Sequence, residues 1–357
     1  MSKVHNFSAG PGILPQEVLK QSSEACINFD NLNLSLLEIS HRSKNYEKVM
    51  GEARSTVKEL FEVGDDYEVL YLGGGASLQF AMVPYNLLRQ DGYAAYVNTG
   101  VWASKAIKEA QIVGNTKVIA SSEDKKFTYV PKGYEIPKDA DYLHITSNNT
   151  IYGTQMHEFP NSPIPVVCDM SSDIFSRKVD AKKFDLIYAG AQKNMGPAGS
   201  TMVMVKKSAL GKTGRKMLSM MDYNVHIKGG SMYNTPPVFP IYVTLLTLQW
   251  LKKNGGIAWI ENLNKQKGEL LYNEIDRNSM FVGTVEKADR SLMNVCFLMN
   301  KPELEPEFDK FWKEANISGI RGHRDVGGYR ASLYNALPLE SVQVLVDAMK
   351  AFEKKFA

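Results

Sequence analysis

The sequence predicts an α/β protein: a large domain with a mostly parallel sheet flanked by helices, followed by a smaller α+β C-terminal domain. Three observations carry this expectation. Short apolar runs such as YEVLYL (67–72), YAAYVN (93–98) and LIYA (186–189) alternate with helical periodicities up to about Val205, the pattern of a doubly wound sheet. An apolar helix over 241–253 then bridges to a stretch in which helices outnumber strands. Hydrophobic residues make up 44% of 357, ample for more than one core. The expected division is 16–250 for the large domain, with 1–15 and 251–357 forming the small domain and its N-terminal arm.

Composition narrows the function classes. Lys plus Arg number 42 against 39 Asp plus Glu, a formal charge of +3, which argues against nucleic acid or an anionic membrane as the main partner. Three widely spaced cysteines without a CxxC suit reduced thiols in the cytoplasm. The opening MSKVHNFSAGPG has no apolar h-region, so no signal peptide is expected. The most apolar helical stretch, 241–251, is too short to span a bilayer.

In order, 6–15 (NFSAGPGILP) is an irregular Gly/Pro arm, followed by a helix over 16–26. LLEISHRS (36–43) ends in His41 and Arg42, which suit either a solvated helix entrance or an anion contact. A helix over 46–61 carries Val49, Ala53, Val57 and Leu60 on one face. The strand at 67–72 runs into Gly73-Gly74-Gly75-Ala76-Ser77 and a helix over 78–88. Strand, glycine loop and helix N-terminus offer bare amides and a positive dipole end to a phosphate. The loop lacks both the GK[ST] ending of a P-loop and the GxGxxG spacing. Trp102 opens the next helix, at a turn where an indole either packs in the core or stacks on a planar ligand. A strand over 141–147 leads to Thr150, and one over 165–168 runs into Asp169. A carboxylate there serves as a helix cap or as the partner of a cationic ring nitrogen.

Lys193 lies between the strands 186–189 and 201–205, on a connection loosened by Gly190, Gly196 and Gly199 and stiffened by Pro197. A single loop lysine is most often solvated, yet a long amine held there suits a Schiff base with an aldehyde cofactor. The glycine loop, Trp102, Thr150, Asp169 and Lys193 all fall near strand ends, where one crevice gathers them. Beyond 206 come a turn-rich loop at 229–237, helices over 260–276 and 305–315, a strand over 292–299 and a final helix over 339–356. RGHRDVGGYRAS (321–332) reads as a Gly-broken segment whose three arginines and histidine suit a small, highly anionic ligand.

With these segments in order (NFSAGPGILP, EISHRS, GGGASLQF, NTGVWA, DMSS, YAGAQKNMGPAG, YNTPP and GHRDVGGYRASLYNA), the chain resembles the phosphoserine aminotransferases. These are pyridoxal 5'-phosphate enzymes of fold type I within the class V aminotransferases. The resemblance runs nearly end to end and implies a role for each matching residue. Lys193 matches the lysine that binds the cofactor as a Schiff base, and Asp169 the carboxylate on the pyridine N–H. Trp102 matches the residue stacked on the ring, and Thr150 the hydroxyl near its O3′ oxygen. Ala76, Ser77 and Gln192 match the phosphate contacts, while Asn234 and Thr235 match a pair reaching that phosphate from the neighbouring subunit. A homodimer with shared sites is thereby implied. Arg330 matches the clamp on the substrate α-carboxylate. His41, Arg42, His323 and Arg324 match the basic pocket for a phosphate or a side-chain carboxylate. One departure is Ser77, where some relatives carry Arg, so the phosphate cup has one cation fewer. No metal is implied.

The implied reaction is a ping-pong transamination from L-glutamate to 3-phosphohydroxypyruvate, giving 2-oxoglutarate and O-phospho-L-serine. It belongs to L-serine biosynthesis and is extensible to a phosphohydroxythreonine step of pyridoxine synthesis. Rival readings leave residues over. A cysteine desulfurase needs a cysteine on a mobile loop, and none of Cys26, Cys168 and Cys296 has that setting. An alanine–glyoxylate transaminase has little use for the extra His and Arg groups. A non-catalytic phosphate-binding protein leaves Lys193 and Asp169 unexplained.

Overall fold

The structure, a computed structural model, describes residues 3–357. In chain order its elements begin with β1 (His5–Asn6), α1 (Gln16–Ile27), α2 (Lys44–Leu60), β2 (Tyr67–Leu72), α3 (Gly75–Leu87), β3 (Tyr93–Asn98) and α4 (Val101–Val113). Next are β4 (Asn115–Ser121), β5 (Leu143–Thr146), β6 (Val166–Asp169), β7 (Leu186–Gly190), β8 (Thr201–Lys206), α5 (Tyr223–Lys228) and α6 (Val238–Lys253). The last are α7 (Gly256–Arg277), β9 (Phe281–Gly283), β10 (Asn294–Met299), α8 (Glu305–Glu314), β11 (Ile317–Ser318), β12 (Tyr329–Ser332) and α9 (Leu339–Phe356).

The main sheet runs β2-β8-β7-β6-β5-β3-β4, and only β8 opposes the other strands. Strands β5, β6 and β7 are buried along their whole length, which explains their unbroken apolar reading: helices cover both faces of a parallel sheet. One face packs Val69, Ile145, Cys168 and Ile187 against α2 and α6. The other packs Leu70, Val167 and Tyr188 against Phe80, Ala106 and Ile107 of α3 and α4. A third core joins α7, α8 and α9 to the antiparallel sheet β12-β10-β9.

Three local expectations are corrected. The helix after the glycine loop starts at Gly75, not 78, because Gly74 takes a left-handed φ of +84° at its N-cap. Ala76 and Ser77 therefore belong to its first turn. β4 has no counterpart in the sequence reading, since this edge strand is half exposed and carries no clear apolar alternation. The 321–332 segment is not wholly irregular: β12 pairs with β10 and sets Arg330 opposite Cys296.

The N-terminal arm belongs with the C-terminal elements. β1 pairs in parallel with β11, and the Phe7 carbonyl accepts from the Ser332 N–H. Farther along, the Gly12 N–H bonds the Gln192 carbonyl at 2.7 Å. A Cβ on Gly12 would lie 2.7 Å from the Tyr334 ring and 3.0 Å from the Lys193 carbonyl, so only glycine allows the arm this close to the lysine loop. Buried polar side chains stitch the large sheet to the small one. Asn148 Nδ2 donates to Ser172 Oγ and to Asn294 Oδ1, both at 2.8 Å, and Asn294 Nδ2 donates to Ser332 Oγ at 3.0 Å.

Candidate active site

The C-terminal ends of β5, β6 and β7 open onto a cavity of about 150 Å³. Its lining includes Ala76, Ser77, Trp102, Asp169, Gln192 and Lys193, six of the residues singled out in the sequence. Asp169 is delivered by a strand end, Ala76, Ser77 and Trp102 by the first turn of a helix, and Gln192 and Lys193 by the turn just past β7, the general location of ligand crevices in open α/β sheets.

Asp169 is the last residue of β6 and is buried. Its Oδ1 accepts from the Ser171 N–H at 2.9 Å and the Ser171 hydroxyl at 2.6 Å, and Ser171 Oγ accepts in turn from the Gly190 N–H at 3.1 Å. Burial pushes this carboxyl up, while the Ser171 bonds and the Lys193 charge pull it back. The ordering of Oδ1 leaves Oδ2 as the oxygen for a cationic partner. In the sequence Ser171 is one serine of DMSS with no distinguishing mark; only the register of β6 beside β7 shows that it braces the carboxylate.

Lys193 sits on a tight turn in which the Met195 and Gly196 amides both bond the Ala191 carbonyl. Its Nζ donates to Thr150 Oγ1 at 2.8 Å and lies 5.6 Å from the centre of the Trp102 ring. Burial brings the amine down to about 8, against the pull of Asp169 and helped by Arg330. This lysine is therefore a neutral amine over much of the mildly alkaline range, unlike a solvated one.

Thr150 has a second partner. Its carbonyl accepts from Arg330 Nη1 at 3.2 Å, so one residue holds both Lys193 and Arg330. Arg330 Nε is buried without a partner, and so is the indole N–H of Trp102. On the opposite wall, the first-turn amides of α3 have no intrahelical acceptors and no side-chain cap. A buried amine, an ordered carboxylate, an indole and a helix N-terminus around one cavity fit pyridoxal 5'-phosphate: aldehyde, ring nitrogen, ring face and phosphate each find a match.

Other expected residues lie apart from this cavity in the single chain. Asn234 and Thr235 are exposed on the loop before α6, and Asn234 lines a different cavity with Gly73 and Gly74. His41 and Arg42 occupy a turn ahead of α2, with His41 Nε2 buried and unpartnered. His323 and Arg324 stand on the turn before β12. Arg321, counted with them as an anion ligand, is not available: Glu305 and Asp309 hold its guanidinium at 2.5 and 2.6 Å. Cysteine chemistry finds no support. The Cys296 thiol bonds the Ile151 carbonyl at 3.4 Å and is pushed up to about 12 by burial, and Cys168 is buried within β6.

Comparisons with known proteins give the family. The family model described as aminotransferase class-V matches residues 4–345. The phosphoserine aminotransferase of Flavobacterium johnsoniae is 62% identical over 354 residues, covering 99% of both chains. Among solved structures, the phosphoserine aminotransferase of Bacillus circulans subsp. alkalophilus superposes with a TM-score of 0.96 at 42% identity, over 99% of each chain. The PLP-bound phosphoserine aminotransferase of Trichomonas vaginalis superposes with a TM-score of 0.92 at 34% identity, over 98% of this chain and all of the other. Sequence, fold and the chemistry of the cavity converge: the chain belongs to the phosphoserine aminotransferases of the class V aminotransferase family, which work with pyridoxal 5'-phosphate.

Proposed function

We propose that this aminotransferase moves the amino group of L-glutamate to 3-phosphohydroxypyruvate in ping-pong order, yielding 2-oxoglutarate and O-phospho-L-serine for L-serine synthesis. A phosphohydroxythreonine step of pyridoxine synthesis falls within the same chemistry. The observation that carries the reading is the double grip of Thr150, on Lys193 through its hydroxyl and on Arg330 through its carbonyl. A substrate whose α-carboxylate meets Arg330 then presents its α-hydrogen to the Lys193 amine.

Pyridoxal 5'-phosphate, when bound, supplies the aldehyde that carries the amino group and the electron sink for the α-carbon. Lys193 would hold that aldehyde, Asp169 the ring nitrogen and Trp102 the ring face. Thr150 lies toward the ring hydroxyl, and Ala76, Ser77 and Gln192 toward the phosphate. The Lys193 amine takes the α-proton as general base and returns it as general acid, roles suited to a group near 8. Asp169, held as a hydrogen-bond acceptor by Ser171, would favour a protonated ring nitrogen. Arg330, with Nε free, pairs with a carboxylate through a charge-assisted bond.

The distal anion of the substrate falls to His323 and Arg324. We infer that a second copy of the chain brings His41 and Arg42 to them, and Asn234 and Thr235 to the cofactor phosphate, making a homodimer with shared sites. In this reading residues 16–250 form the cofactor-holding domain, and 1–15 with 251–357 the small domain that carries Arg330. No helix among the described residues is long and apolar enough to cross a membrane, and we place the enzyme in the cytoplasm.

The test is the visible absorbance of the bound cofactor on addition of O-phospho-L-serine, with L-serine and L-alanine alongside. Bleaching with phosphoserine alone is expected. Equal bleaching with L-alanine would refute the substrate assignment, and no band even after added pyridoxal 5'-phosphate would refute the role of Lys193.

A further inference from the structure

The turn between β11 and β12 holds two guanidinium groups in opposite circumstances. Arg321 is clamped by Glu305 and Asp309 of α8, as described. Arg324 is 91% exposed and has one acidic neighbour, Asp325, whose Oδ1 lies 3.7 Å from its Nε. The same carboxylate reaches His323, with Oδ2 3.4 Å from Nδ1.

The backbone makes this convergence. The His323 carbonyl accepts from the Val326 and Gly327 amides at 3.0 and 2.8 Å, and the Gly322 N–H bonds the Gly328 carbonyl at 2.9 Å. A Cβ on Gly322 would fall 1.9 Å from the Gly327 carbonyl oxygen, so the neck of the turn closes only around glycine. Asp325 is thereby folded back over the two residues before it. Its amide lies 3.3 Å from His323 Nδ1, so a neutral ring accepts that N–H, whereas a protonated ring donates to the carboxylate instead. The carboxylate also acts on Tyr152, two residues beyond Thr150: burial pushes that phenol up first, and the Asp325 charge adds to it.

We propose that Asp325 is an internal anion that competes with the distal anionic group of the substrate for His323 and Arg324. This rests on the reading of those two cations as the distal-anion grip. At 3.4 and 3.7 Å, with its partners partly exposed, the carboxylate is held loosely, and such contacts are readily exchanged. A phosphate or carboxylate of the substrate displaces it by offering more oxygens and more charge. A ligand without a distal anion leaves the pairing intact and gains nothing from it. Inorganic phosphate and other stray anions must likewise displace Asp325 before they can occupy the grip. The residue therefore weakens every anion at this point, which keeps a product as anionic as O-phospho-L-serine from being retained.

The test is Asp325→Asn in the holoenzyme, measuring KM for L-glutamate and O-phospho-L-serine, the half-reaction with L-alanine, and competitive inhibition by inorganic phosphate. Both KM values and the inhibition constant should fall about two- to fivefold, with kcat and the L-alanine reaction unchanged. Asp325→Glu should restore values close to those of the parent enzyme. In an Arg324→Gln background the gain from Asp325→Asn should shrink. Unchanged KM and inhibition constants, or an equal change with L-alanine, would overturn the proposal. If the parent enzyme is insensitive to phosphate and treats L-alanine like phosphoserine, the grip itself is misassigned; that outcome is separate, because it needs no variant.

Discussion

The proposed reacting centre and the proposed anion grip are built in contrasting ways. Around Lys193 and Asp169, polar atoms are largely shielded and hydrogen-bonded at 2.6–3.1 Å, Asp169 at the end of β6 and Lys193 on a tight turn just beyond β7. Around His323 and Arg324, side chains are solvated, contacts are long and the backbone is a turn. Proton transfer requires an amine fixed to within a fraction of an ångström and a pKa set by exclusion of water. Holding a distal charge that differs between two substrates requires groups that can adjust. In the proposed reading, shielded and exposed groups are divided between the ends of one substrate, and the division can be tested from either side.

Removing the fixed end should have the largest effect. Lys193→Ala leaves no base at the α-carbon, and turnover should fall by about 10⁴-fold or more in a steady-state assay, while the fold is retained by circular dichroism. Arg330→Ala comes next. The lost charge-assisted contact should raise KM for every amino-acid substrate about ten- to a hundredfold, L-alanine included, because all share the α-carboxylate. The fixed centre can also be probed without mutation. In the cofactor-free chain, acylation of Lys193 followed by mass spectrometry should rise through a pH of about 8, since the neutral amine appears above that value. A rise only near 10.4, the ordinary lysine value, would show that the amine is solvated. At the adaptable end the effect should be smallest. Arg324→Gln should raise KM for phosphoserine about two- to fivefold and leave L-alanine alone, as expected for one exposed cation among several.

How far the sequence could be read follows the same division. Asp169 stood out because it directly follows an apolar strand, where burial without purpose is costly, and Lys193 because a long amine lies on a small-residue connection between two such strands. The order of elements was legible for a related reason: strands buried on both faces leave long apolar runs. Partners brought in from elsewhere in the chain were not legible. Ser171 reads as one more turn serine until β7 lies beside β6. The arginines of 321–332 look alike in sequence, and only the approach of α8 separates the clamped Arg321 from the exposed, loosely paired Arg324. β4 escaped notice because an edge strand needs little hydrophobicity, and β12 because Gly327 and Gly328 precede it so closely.

The seating of the N-terminal arm has a consequence for synthesis. His5 finds its strand partner in Ile317, and Gly12 rests on the loop of Lys193 and on Tyr334. During translation the large sheet can assemble once β8 has emerged, since all its strands lie within the first 206 residues. The arm must wait for the ribosome to finish the segments that receive it, because a contact of such sequence separation forms late. The cover over the lysine loop is therefore completed only after the segments of Ile317 and Tyr334 have been made, well after the sheet that carries Lys193.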